Sequence, residues 1–168
     1  MKYKIVVLAL FIFTINIYGQ NFENGTIITK RYDTIANVKI EKFSDAKSLV
    51  HIEYIDNEGN TQKPDVESVK CYTRGDEKFV RIYYDCEMIL VKAIEIGRKV
   101  NLYERDYNGS KTYYIEKVYD ELIKVPSSSS KFSKEIGEFL IDNATLSSDI
   151  KDKKITDIKE VVSLYNEI

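Results

Sequence analysis

The chain has 168 residues, 43% of them hydrophobic and 31% charged, and carries a formal net charge of −2. That length suits one domain with its own core, the apolar share is too high for a disordered chain, and the acidic balance argues against a nucleic-acid partner, which requires a basic face. Thirteen tyrosines, no tryptophan and only two prolines, Pro64 and Pro126, favour β-rich structure.

Lys2 and Lys4 precede an apolar run from Ile5 to Ile15, which is shorter than the roughly 20 residues a membrane span needs. Small Gly19 follows in Tyr18-Gly19-Gln20. The order of charge, apolar run and small residue predicts a signal peptide over residues 1–19, cleaved before Gln20. Residues 20–168 are then a single exported domain, periplasmic or secreted, that does not cross a membrane after cleavage. Loss of the two lysines moves its formal charge from −2 to −4.

From Gly25 to Val125 apolar and polar residues alternate. Val38-Lys39-Ile40-Glu41 and Val50-His51-Ile52-Glu53-Tyr54 read as strands with one wet face, and Phe79–Tyr84 and Val100–Arg105 follow the same period less cleanly. Asp56-Asn57-Glu58-Gly59-Asn60, Arg74-Gly75-Asp76 and Tyr107-Asn108-Gly109-Ser110 supply turns. Asn108-Gly109 is a two-residue hairpin signal that fixes a register. With Tyr107 and Ser110 flanking it, Leu102 lies opposite Ile115 and Val100 opposite Lys117 on one face, and Tyr103 opposite Tyr114 on the other. The only cysteines, Cys71 and Cys86, bracket the Arg74-Gly75-Asp76 turn. In an oxidising compartment they are expected to form a disulfide, worth about 3 kcal/mol for a loop of that size.

After Ile123-Lys124-Val125-Pro126 the pattern changes. Residues 20–126 form the β-rich part, Ser127–Ser130 a link ending in an N-cap, and 131–168 a helical part. Phe132, Ile136, Phe139 and Leu140 keep helical spacing, and Asp157 with Glu160 opens a second helix whose apolar face is Ile158, Val161, Val162 and Tyr165. The predicted fold is α+β: a meander of antiparallel hairpins followed by two or three C-terminal helices packed on one face.

Chemistry-bearing residues are sparse. His51 is the only histidine, so a metal site of His/Cys type cannot be assembled, and its place between Val50 and Ile52 turns it outward beside Glu53. Gly59 falls fourth in its acidic turn, where a calcium-binding EF-hand needs glycine sixth. Arg74-Gly75-Asp76 spells an adhesion tripeptide that is equally good turn chemistry. Glu104 and Glu116 would be a carboxylate pair for glycoside hydrolysis, but the register puts them on opposite faces. The remaining candidate is a ligand-binding platform of Tyr103, Arg105 and Tyr114, for which core packing under the C-terminal helices is the competing explanation. No cofactor is implied.

Met88-Ile89-Leu90-Val91-Lys92, Gly97-Arg98-Lys99-Val100-Asn101-Leu102-Tyr103, Tyr113-Tyr114-Ile115-Glu116-Lys117 and the terminal Tyr165-Asn166 form a pattern, from about Val38 to Asn166, that resembles uncharacterised exported proteins of Bacteroidota. In that group a soluble module stands alone or precedes an outer-membrane β-barrel. The resemblance implies export and no assigned catalytic residues, and it makes Asp33-Thr34-Ile35 an O-glycosylation acceptor. The expected function is a non-catalytic module of the cell envelope that binds an envelope protein or glycan; the alternative is a carboxylate-based hydrolase acting on envelope polymers.

Overall fold

Alternation and turn chemistry cut the first two thirds of the chain into strands, and a computed structural model shows how they pair. It describes residues 21–167, so the predicted signal peptide and its cleavage point lie outside the described residues. The strands are β1 (Phe22–Thr29), β2 (Thr34–Glu41), β3 (Tyr54–Ile55), β4 (Thr61–Gln62), β5 (Val69–Arg74), β6 (Glu77–Tyr84), β7 (Glu87–Ile96), β8 (Val100–Tyr107), β9 (Ser110–Lys117) and β10 (Leu122–Lys124). The helices are α1 (Asp45–Ser48), α2 (Ser129–Phe139), α3 (Ala144–Lys151) and α4 (Ile158–Glu167). All ten strands join one antiparallel open sheet in the order β10-β9-β8-β7-β6-β5-β1-β2-β3-β4. It is two meanders, β5 to β10 and β1 to β4, joined where β1 pairs with β5. The α+β architecture, with three C-terminal helices after the sheet, is the one expected; the short α1, inserted between β2 and β3, is additional.

One face carries two apolar cores. Phe79 lies opposite Lys92, Lys92 opposite Glu104 and Glu104 opposite Tyr113, so these four share a face. Toward the C-terminal strands, Val100, Leu102 and Ile115 meet Phe132, Ile136 and Leu140 of the α2 segment, Ile150 of α3, and Val161, Val162 and Tyr165 of α4. Each fully buried side chain of this kind contributes roughly 1.5–3 kcal/mol. Toward the other end, Leu49 and Ile52 pack with Ile27, Val38, Ile40, Tyr54, Tyr72 and Phe79 of the sheet.

A charged seam runs between the two cores. Arg74 is almost wholly buried and donates to Glu77 Oε2 at 2.6 and 3.0 Å, and to Glu41 O and Ser48 Oγ at 3.0 Å each. Lys92 Nζ donates to Glu77 Oε1 at 2.6 Å and reaches Asp45 at 3.1 Å. Burial works against the Glu77 carboxylate, but Lys92 and Arg74 together hold its pKa below the ordinary value. Arg74 is thus locked inside, so the Arg74-Gly75-Asp76 tripeptide serves as a turn, with Gly75 at φ +54°, and its arginine is not presented to solvent.

Three expectations are corrected. The alternation at Val50–Tyr54 gives a strand only at Tyr54–Ile55, because Val50 and His51 N–H groups donate to Lys47 O and complete the last turn of α1. Val50 is left exposed, although Ile52 and Tyr54 do point inward. α2 starts at Ser129 with Ser128 as N-cap, so the serine link is shorter than Ser127–Ser130, and Asn143 caps a third helix, α3, through its bond from Leu146 N–H. The disulfide is absent: Cys71 and Cys86 are both free. Cys71 pairs with Val80, and β6 runs on to Tyr84 before Cys86 enters the next turn at φ +63°. The four strand steps from Val80 to Tyr84 alone amount to about 13 Å, well beyond the roughly 7 Å that a disulfide spans between Cα atoms.

Candidate functional site

The Asn108-Gly109 hairpin forms in the predicted register: Tyr103 lies opposite Tyr114, Leu102 opposite Ile115 and Val100 opposite Lys117. Asn108 and Gly109 both have positive φ, at +52° and +83°, as a type I′ turn requires. The tyrosine pair, however, does not form an open platform. Tyr103 is 5% and Tyr114 4% exposed, and they pack on the face away from the helices with Ile82, Ile89 and Val91. Tyr84 of β6 meets the Tyr114 ring edge-on at 5.0 Å. Two strands separate them, about 14 Å in a flat sheet, so the sheet coils and closes over its own aromatic residues. The Tyr103 hydroxyl donates to Glu116 at 2.5 Å, and burial with that carboxylate raises its pKa. Arg105 is half-buried and elsewhere, lining an open groove with Lys47, Val50 and Tyr107.

The two candidate carboxylates have separate partners. Glu104 is buried on the helix-covered face and paired with Lys111 at 2.9 Å, which, with Tyr113, keeps its pKa low against the cost of burial. Glu116 sits on the opposite face, accepting from Tyr103 and Asn101. His51 lies at the surface, 3.7 Å from Glu53 and edge-on to Phe43. Among the described residues no group of three or more His, Cys, Asp or Glu side chains is placed to hold a metal, and no helix is long and apolar enough to cross a membrane.

A groove at the other end of the C-terminal strands has the properties that the tyrosine pair lacks. It is open, about 580 Å³, and is formed by the β7–β8 turn (Arg98, Lys99), the β9–β10 turn (Tyr119, Asp120) and the α2–α3 connection (Asp142, Asn143). Tyr119 stands at its rim fully exposed, at φ +68°. A bulky side chain in that region is strained, and an exposed ring gains nothing from the core in return.

The walls are tied to one another. Val118 N–H donates to Lys99 O, joining the two turns. Asn166 on α4 accepts from Lys99 and Val100 N–H at 3.2 and 3.1 Å and donates to Val100 O and to Glu95. The Tyr165 hydroxyl donates to Asp142, and Lys117 pairs with the same carboxylate at 2.9 Å. The bond from Tyr165, together with Lys117, holds the Asp142 pKa below the ordinary range, while burial and Asp142 push the Tyr165 hydroxyl up to about 12. Asp142 is therefore an ionised, fixed and still exposed acceptor lining the groove.

The sequence offers no motif at Tyr119, a tyrosine between Val118 and Asp120; of the groove's lining only Arg98, Lys99, Lys117 and Tyr165 fall within the segments that carry the resemblance. The chain matches no family model, no curated protein and no solved structure.

Proposed function

We propose that the chain is an exported, non-catalytic module of the cell envelope that binds another envelope component at the groove beneath Tyr119. Export rests on the charge, apolar and small-residue order of residues 1–19 and agrees with the resemblance to exported proteins of Bacteroidota. The observation that carries the binding reading is Tyr119 itself, a fully exposed ring in a left-handed turn above cross-tied walls. An aromatic body with a polar tip, held beside fixed polar groups, is the usual make-up of a recognition surface. The hydrolase alternative has less support, since its two carboxylates face away from each other and each is engaged by its own neighbours.

The test is fractionation followed by sedimentation with purified envelopes. The chain recovered from the periplasm or medium begins at Gln20, and it co-sediments with envelopes while Tyr119→Ala does not. An intact Met1 on exported material, or equal sedimentation of both proteins, contradicts the reading.

A further inference from the structure

We infer that the groove between Tyr119 and Asp142 is a subsite for an acidic saccharide, one pyranose ring bearing a carboxylate; this rests on the binding reading above and names its ligand. A pyranose has a flat face of weakly positive C–H groups, an equatorial belt of hydroxyls and, in a uronic acid, one anionic edge. Each has its counterpart here. The Tyr119 ring offers the electron-rich face on which C–H groups stack, and it needs no movement to be exposed. Asp142, ionised and held by Tyr165 and Lys117, accepts hydroxyl hydrogens from a position fixed before the ligand arrives. Arg98 and Lys99, both exposed on the β7–β8 turn, supply the cationic edge, and an arginine fork matches a carboxylate in two parallel bonds.

Preorganisation separates this groove from an ordinary surface hollow. The turns that carry Arg98 and Tyr119 are joined by the Val118-to-Lys99 bond, the first of them is clamped to α4 by Asn166, and α4 reaches Asp142 through Tyr165. The backbone segments that carry the three recognition elements are thus tied to one another, and Asp142 is fixed as well, which removes part of the ordering cost from binding a small polar ring. A flat apolar partner would desolvate Arg98 and the open side of Asp142 while offering neither a hydrogen bond, which disfavours a purely hydrophobic occupant.

The experiment is a nuclear magnetic resonance titration of residues 20–168 with trigalacturonic acid. Maltotriose serves as the neutral ring, and sodium acetate as the carboxylate without a ring. Trigalacturonate is expected to shift the amides of Arg98, Lys99, Tyr119 and Asp120, with maltotriose weaker and acetate weaker still. Tyr119→Ala should weaken binding about tenfold, the value of one aromatic contact, and Arg98→Ala should reduce the preference over maltotriose. Tyr32→Ala, which alters a tyrosine equally left-handed and largely exposed but on the β1–β2 turn, should change nothing. Absence of shifts with trigalacturonate, equal shifts with acetate or maltotriose, or insensitivity to Tyr119→Ala overturns the assignment. Envelope sedimentation that still depends on Tyr119 would then leave the binding module standing with a different ligand, whereas loss of both results removes both.

Discussion

The side-chain amide of Asn166 treats Val100 as a neighbouring strand would: its Oδ1 accepts from Val100 N–H and its Nδ2 donates to Val100 O, both at 3.1 Å. A residue near the end of the last helix thereby closes the first rung of β8 and fixes the turn that carries Arg98. Replacing it leaves Lys99 N–H and both polar groups of Val100 short of partners. Asn166→Ala should cost about 1–3 kcal/mol, read as a lower urea midpoint with an unchanged slope. Asn166→Asp should be at least as damaging, because a carboxylate only accepts and would face Val100 O and Glu95. Unchanged midpoints for both variants would mean that the clamp contributes nothing.

The seam makes a signed pH prediction. Glu77 has a folded pKa below its ordinary 4.5, so its contribution is complete above that value and is lost as pH falls through the lower folded one. Glu104 and Asp142 are shifted in the same direction. Wild-type stability should therefore decline below about pH 4.5. Glu77→Gln should be less stable at neutral pH and should show a shallower decline in acid. Parallel acid limbs for the two proteins would contradict the assignment.

At the β8–β9 turn a Cβ on Gly109 would meet nothing within 4 Å, so backbone strain alone decides the effect of a substitution. Gly109→Val should cost at least about 1 kcal/mol, since φ is +83° there and a branched side chain resists the left-handed region. A neutral result in thermal unfolding would show that the turn relaxes to another type.

Cysteine chemistry follows from position. Cys86 is exposed in its turn and Cys71 half-buried in β5, so alkylation of the native protein without reductant should label Cys86 first. In denaturant, still without reductant, two alkyl groups should be taken up. A mass showing no uptake would restore the disulfide and require a rearranged β5–β6 hairpin.

Much of the fold was legible because the signals were local. Asn108-Gly109 sets its own register, and matching Leu102 with Ile115 and Tyr103 with Tyr114 allows only one alignment. Phe132, Ile136 and Val161 announce helices by spacing alone. What failed depended on partners. The Val50–Tyr54 alternation is real, yet only its end finds neighbouring strands. The spacing of Cys71 and Cys86 does not reveal that β6 carries the second cysteine past the first. The tyrosine pair was readable, but not which face the sheet would coil over. The groove was the least visible, because Arg98, Tyr119, Asp142 and Tyr165 meet only through tertiary contacts.

The most direct test of Tyr119 as the binding contact is photo-crosslinking in the producing cell, with a benzophenone amino acid at position 119 and, as a control, at position 32. Tyr119 and Tyr32 share the same strained backbone, with φ +68° at both, and both are largely exposed, but only Tyr119 borders the groove. A discrete adduct to an envelope component from position 119, and none from position 32, is the predicted result. Adducts from position 32 alone, or from neither position, would contradict it.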